Sequence, residues 1–219
     1  MLADLHEFEE ADRAYQQAFE TYQDVSPFAL AWVCFQLGVL WGELVPEPQS
    51  TRAADWYCRA IEYVPSYVKA RVHLSEIYLN HHRIEDAEAL LIPALSSGDP
   101  EVDWRLADVM FAQGNASAGK AHLEKAARGF ETLLETHLLA FADHGAEFYS
   151  GSGDDPDRAF ELASVNLANR PTLRAFEQTH EAAIGARRTQ AAADILSAAR
   201  NRWGATHTFG LSSLADVRG

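Results

Sequence analysis

The chain has 219 residues, 47% of them hydrophobic and 23% charged, enough for one large domain or an array of small units and incompatible with disorder throughout. Its 18 Lys and Arg against 32 Asp and Glu leave a formal charge of −14, and Lys69, Lys120 and Lys125 are the only lysines, which argues against a grip on a nucleic-acid backbone or an anionic membrane surface. Two cysteines, Cys34 and Cys58, make no disulfide framework and fit a reducing, cytoplasmic setting.

The N-terminus, Met1 to Glu10, is acidic and lacks the basic and continuous apolar regions of an export signal. A first amphipathic helix is expected around Glu7 to Tyr22, carrying Ala11, Tyr15 and Ala18 on one stripe. Phe28 to Val45 is apolar over a length that could span a membrane, but Gln36 and Glu43 would each be costly in lipid. The segment therefore reads as a helix buried on most sides within a soluble all-helical array.

From there the chain repeats a small-x3-large-x2-small pattern. Ala53, Tyr57 and Ala60 precede Pro65, and 34 residues later Ala87, Leu91 and Ala94 precede Asp99-Pro100. Gly119, Leu123 and Ala126 follow, then Ala159, Ala163 and Asn166 before Pro171, then Ala192, Leu196 and Ala199 before Gly204, at intervals of 32, 40 and 33 residues. These offsets place all three residues on one helical stripe, where small side chains allow a neighbouring helix to approach closely. Upstream of each copy lies a second helical segment with a large-small pair and a bulky residue three positions on: Leu37-Gly38 with Trp41, Leu74-Ser75 with Tyr78, Leu106-Ala107 with Met110, and Ala146 with Tyr149.

A helix of this second kind followed by an Ala-stripe helix within about 34 residues resembles the tetratricopeptide repeat, and the resemblance covers roughly residues 28 to 204. It implies an all-α, right-handed superhelical array of about five helix pairs. Residues 1–27 would form an N-terminal capping helix or half repeat, and residues 205–219 a C-terminal tail or cap. Three departures stand out: the stretched turn Val45 to Ser50, the Gly-rich turn Ser150 to Pro156, and Thr179-His180 in place of the last large-small pair. Phe28 to Pro48, Ala142 to Tyr149 and Asn169-Arg170-Pro171-Thr172 also resemble phrases of a bacterial subgroup of tetratricopeptide repeat proteins of unassigned function, in which they lie in longer chains. By that resemblance the sequence reads as a C-terminal portion. A first helix without a partner would expose an apolar stripe through Phe8, Tyr15 and Phe19 unless it caps the array or pairs with another chain, the latter an argument for a homodimer.

The resemblance further implies that the first helices of successive pairs line a concave surface that holds an extended peptide or partner helix. On that face Glu76, Asp108, Glu147 and Glu181 would form an acidic row with about 10 Å between packed helices, favouring a basic partner. Val39 breaks the row, with Trp32 and Phe35 offering an apolar end instead. Lys69, Val72, His73, Trp104, Arg105, Phe111, Asp143, His144, Arg174 and Glu177 are the neighbouring positions. In a chain with 32 carboxylates an acidic run is also what an ordinary solvated face looks like, and Arg71, Arg105 and Arg174 are placed to neutralise it. The Lys and Asn pair that chaperone-tail-binding members need is represented only by scattered residues such as Lys69 and Asn80.

Catalytic signals are weak. His73-x-x-Glu76 and His144-x-x-Glu147 each put an imidazole and a carboxylate on one face, but two repeats apart they would lie roughly 20 Å from each other, too far to share an ion. There is no nucleophile elbow, Walker loop or His-Glu-x-x-His, and neither cysteine has the electropositive surroundings of an activated thiolate. No cofactor and no metal is expected. Trp41 and Trp56 read as packing residues, and Trp104 with Phe111 as candidate ligand contacts. The expected function is a protein-interaction module or adaptor, with partner side chains seated between Trp104, Phe111 and Val72 and basic residues selected by Glu76, Asp108, Glu147 and Glu181. The alternatives are a self-associating scaffold and, third, a metal-dependent hydrolase using His144 and Glu147.

Overall fold

The computed structural model describes residues 2–217, and all regular structure among them is helical. The α-helices are α1 (Phe8–Thr21), α2 (Pro27–Val39), α3 (Ser50–Tyr63), α4 (Val68–Asn80), α5 (Ile84–Leu91), α6 (Pro100–Ala112), α7 (Ala116–Ser150), α8 (Pro156–Asn169), α9 (Leu173–Gly185), α10 (Thr189–Trp203) and the short α11 (His207–Gly210). Pro27, Pro100 and Pro156 start their helices, where the missing N–H costs nothing. Asp99, Asp155 and Thr172 cap α6, α8 and α9 by accepting from the backbone N–H groups of Glu101, Arg158 and Ala175. The chain divides into two compact units between Ala126 and Ala127.

In the N-terminal unit the repeat pattern turns directly into packing. Ala53, Tyr57 and Ala60 are buried with Cys34, Ala70 and Leu74, and Ala87, Leu91 and Ala94 with Val72, Val102 and Leu106. The aromatic ring of Tyr57 lies across Gly38, where an added Cβ would stand 2.3 Å from Tyr57 Cε1. The small member of one helix thus receives the large member of the next, and any side chain larger than hydrogen is excluded there. Two first helices, α4 and α6, end in the same left-handed corner. His82 and Gly114 have φ of 58° and 78°, and the following N–H groups, of Arg83 and Asn115, reach back to the carbonyls of Tyr78 and Met110 at 2.8 Å each.

Two local departures have clear causes. Pro93 lacks the N–H that would bond the Ala89 carbonyl, so α5 stops early and continues as a 3₁₀ turn, Ile92–Ser97, that still buries Ala94. The end of α2 widens into a π turn, Leu40–Leu44, closed by the Val45 N–H on the Leu40 carbonyl at 3.2 Å. By length and composition Pro27–Leu44 is apolar enough to cross a membrane. Here its inner face is packed, with Ala31, Val33, Cys34, Leu37, Leu40 and Trp41 buried, while Phe28 and Trp32 are exposed.

Helix α1 corrects an expectation. It lies against α2, and Phe8, Tyr15 and Phe19 pack on the cluster of Ala11, Val33, Leu37, Leu40, Trp41 and Val45. The apolar stripe is covered within the same chain, which removes the argument for a dimer drawn from its exposure. Asp12 fixes the contact: it is buried, and it accepts hydrogen bonds from Trp41 Nε1 at 2.7 Å and Arg52 Nη2 at 3.0 Å, while the Arg52 guanidinium sits 3.5 Å above the Trp41 ring.

In the C-terminal unit α7 is broken at His137, whose φ of −141° and ψ of 44° are not helical. The Phe130 and Phe148 rings stack with centroids 4.8 Å apart, whereas 18 residues of straight helix would rise about 27 Å. The chain therefore reverses at His137, and the segments on its two sides pack as a hairpin. Ala159, Leu162 and Ala163 of α8 are buried, with Leu162 against Gly145. Leu173 and Phe176 of α9 and Leu196 and Ala199 of α10 form a cluster completed by Phe209 and Leu214 from the segment after α10.

Two substitutions test this account. Gly38→Ala should lower the unfolding free energy by about 1–2 kcal/mol in chemical denaturation, overpacking against Tyr57 outweighing the better helix propensity of alanine. Asp12→Ala should cost about 1–3 kcal/mol, because it strands the buried Trp41 N–H.

Candidate functional site

In the N-terminal unit the charged side chains of the first helices form a ladder of alternating sign. Glu43, at the π turn that ends α2, accepts from the Tyr57 hydroxyl at 3.0 Å and lies 2.7 Å from His73 Nδ1, through the same Oε1. His73 is also 4.0 Å from Glu76 one helical turn on, and its ring rests against Phe35 and stacks on Tyr57. Glu76 then accepts from Arg105 Nε of the next first helix at 2.5 Å, and Arg105 Nη1 reaches Asp108 at 3.3 Å. The Arg105 guanidinium carbon stands 3.7 Å over the Trp104 ring. Beside the ladder, Lys69 pairs with Asp99 at 3.1 Å and with the buried Glu101 at 2.8 Å, tying α4 to the start of α6.

Burial disfavours charge on His73, but Glu43, by hydrogen bond and charge, and then Glu76 and Glu101 outweigh it and hold the imidazolium pKa above its usual value. For Lys69, Glu101 and Asp99 likewise overcome burial and raise the pKa. Burial, reinforced by the Glu43 carboxylate, pushes the Tyr57 phenol well above its ordinary range, so it remains a donor. Burial also raises both thiols, Cys34 to about 11, and keeps them protonated at neutral pH.

A cleft of about 480 Å³ opens on this ladder, lined by Glu76, Asn80, His82, Arg105, Asp108 and Ala112 among others. In the C-terminal unit a second cleft, of about 530 Å³, is lined by Glu147, Arg174, Glu177, Gln178, Glu181 and Ser213 among others. There the Ser213 N–H and hydroxyl both donate to Glu177 Oε1, at 2.9 and 3.0 Å. His144 is half-buried, 6.4 Å from the Phe141 ring, and the neighbouring Asp143 pairs with Arg170 at 2.8 Å.

The expected site residues are thus only partly brought together. His73, Glu76, Arg105 and Asp108 form one connected group, and Glu147 and Glu181 share the other cleft. Val72, at 1% exposure, is a core residue, and Trp104, at 5%, lies beneath Arg105; neither offers the open apolar contact that helical spacing suggested. Phe111 is 40% exposed, with one ring edge set on Gly119. Of the expected apolar end, Trp32 is 43% exposed, while Phe35 packs among Tyr57, Tyr67 and His73. Sequence reasoning missed Glu43, whose direction is set by the π turn, and Glu101, whose pairing with Lys69 has no local signature. Among the described residues no group of three or more His, Cys, Asp or Glu side chains is arranged to hold a metal ion.

Comparison with protein-family models finds no match, and comparison with curated proteins finds none. Solved structures do match. TTC0263, a thermophilic TPR protein of Thermus thermophilus, aligns over 80% of this chain and 92% of its own, at 17% identity and a TM-score of 0.55. BtubC from P. vanneervenii aligns over 91% and 92% at 16% identity with a TM-score of 0.45. YrrB, a TPR protein with an unusual peptide-binding site, aligns over 90% and 96% at 17% identity with a TM-score of 0.40. The chain has the tetratricopeptide-repeat fold, an assignment that rests on the first of these and on the packing described above.

The His73 cluster gives a pH dependence with a defined sign. A histidine whose pKa is raised by folding stabilises the native state fully below its unfolded value, about 6.5, and loses that contribution as pH rises through the folded value. Stability should therefore fall across a window that begins near neutrality. His73→Gln should flatten that step in denaturation midpoints measured between mildly acidic and mildly alkaline pH.

Proposed function

We propose that this protein is an interaction module or adaptor whose first helices receive a basic segment of a partner protein. The observation that carries the reading is the cleft bounded by Glu76 and Asp108. Both carboxylates line the cleft and already accept from a guanidinium, that of Arg105, so a cationic group of a partner entering the cleft meets groups of complementary charge. The formal charge of −14 adds a long-range attraction for positively charged partners, one that weakens with salt. Glu147, Glu177 and Glu181 give the C-terminal cleft the same preference in kind, offset in part by Arg174 in its lining. A peptide laid along helices of this kind would gain most from charge-assisted hydrogen bonds, because the large apolar residues beneath the N-terminal cleft, Val72 and Trp104, are already buried. Nothing in this reading calls for a metal or a cofactor.

Binding of fluorescent Arg-Gly and Lys-Gly repeat peptides, with a Glu-Gly peptide as comparator, tests it. The basic peptides should bind in low salt and release as salt rises, and the Glu-Gly peptide should not bind. Replacing Glu76 and Asp108 together by Gln and Asn should weaken binding at least tenfold while leaving the circular dichroism spectrum and the sedimenting mass unchanged, about 1.4 kcal/mol being lost with the two charges. Equal binding of the acidic peptide, or a changed mass in place of lost binding, would refute the reading.

A further inference from the structure

Arg105 is held in a way that resembles recognition of a ligand more than an ordinary surface ion pair. Its guanidinium meets one carboxylate through Nε, Glu76 at 2.5 Å, and a second through Nη1, Asp108 at 3.3 Å, while its flat face lies 3.7 Å over Trp104. Two acceptors in the plane and an aromatic wall on the face are together what selects a guanidinium over an ammonium, since an ammonium has neither the fork nor the plane. Arg105, Glu76 and Asp108 all line the N-terminal cleft, whereas Trp104 lies beneath. The same three-sided arrangement therefore opens to the cleft through the side chain that fills it.

We propose that Trp104, Glu76 and Asp108 form an arginine seat occupied by the chain's own Arg105, and that a partner's arginine side chain enters it by displacing Arg105 into the cleft. The inference rests on the reading of this cleft as a site for a basic segment, and it names the residue selected and the event that limits affinity. Displacement exchanges one guanidinium for another, so the carboxylates are never left unpaired, and the internal competitor sets a threshold that a lone lysine does not pass. The apparent affinity of wild-type protein is then the affinity of the open seat reduced by the fraction of molecules in which Arg105 has swung out.

The test is Arg105→Ala, titrated with propylguanidinium and, separately, propylammonium, following the indole N–H signal of Trp104 by NMR, identified by its loss in Trp104→Phe. Saturable shifts with propylguanidinium but not propylammonium, absent when Glu76→Gln and Asp108→Asn are added, are expected. The variant should also bind the Arg-Gly peptide more tightly than wild type, by about tenfold if the seat is open in a tenth of the molecules. Absence of a guanidinium preference, or peptide binding that is unchanged or weakened by removal of Arg105, would overturn the proposal. Should Arg105→Ala fail to fold, Arg105→Gln takes its place. The wild-type protein supplies an independent readout, in which the Arg-Gly peptide must shift the Trp104 signal and the Lys-Gly peptide must not. If wild-type protein binds basic peptides but the seat shows no guanidinium preference, this inference falls and the broader reading stands. If the variant binds propylguanidinium while no peptide binds wild type, the broader reading falls and the seat remains.

Discussion

How closely two neighbouring helices can approach decides which side chains can meet across them. In the N-terminal unit that distance is set where Tyr57 lies flat on Gly38, and again where the Phe111 ring rests on Gly119. Each contact places a large ring on a residue with no side chain, so the backbones come together further than two ordinary helical faces would allow. The Ala stripes do the same work with less specificity: Ala53, Ala60, Ala87 and Ala126 are fully buried. With the helices held at that spacing, residues some thirty positions apart come within hydrogen-bond reach. Glu43 with His73, and Glu76 with Arg105, are the result.

The ladder those residues form is structural and electrostatic at once. Its members are partly buried, so each ion pair is stronger than one in water but has also lost some hydration, and the net gain from any one pair is modest. The alternation of sign matters more than the sum. Glu43, Glu76 and Asp108 would repel one another without the interposed Arg105 and, when it is protonated, His73, and Arg105 would be costly to bury without the carboxylates. Removing one rung takes one partner from its neighbours, while Arg105 and His73 each face two carboxylates. The cations of this face are thus largely engaged internally, and Lys69 too is taken up, by Asp99 and Glu101.

Much of the fold was legible because it depends on periodicity. Small residues at offsets of four and seven identify a close-packed stripe whatever the surrounding sequence, and the copies starting at Ala53, Ala87, Ala159 and Ala192 are buried as that rule requires. Features that depend on a single backbone bond were not legible. The reversal at His137 has neither glycine nor proline beside it, so the residues there do not mark where the corner falls; the backbone angles of His137 and the stacking of Phe130 on Phe148 do. The π turn after Val39 likewise leaves no signature, yet it aims Glu43 at His73. Of the positions named from the sequence on α4 and α6, the structure brings Glu76, Arg105 and Asp108 together, and their pairing was not legible. Helical spacing places Trp104 and Arg105 on neighbouring positions of one helix; it does not show that the second folds over the first.

The treatment of α2 bears on what this protein can recognise. That helix is apolar around most of its circumference, so α3 alone cannot cover it, and a repeat array that began there would expose a continuous apolar face. Helix α1 covers the other side, and it does so with Asp12 buried between Trp41 and Arg52. A buried carboxylate that accepts from Trp41 and Arg52 as well as from Gln16 of its own helix fixes the register of α1 in a way that apolar contact alone would not, since a slipped helix would take the acceptor away from Trp41 and Arg52. With that face closed, the exposed apolar side chains at the N-terminal end include Leu5 before α1 and Val25, Phe28 and Trp32 at the entry to α2. Exposed apolar side chains also occur elsewhere, Ile92, Leu139 and Ile184 among them, while both clefts are lined in part by carboxylates.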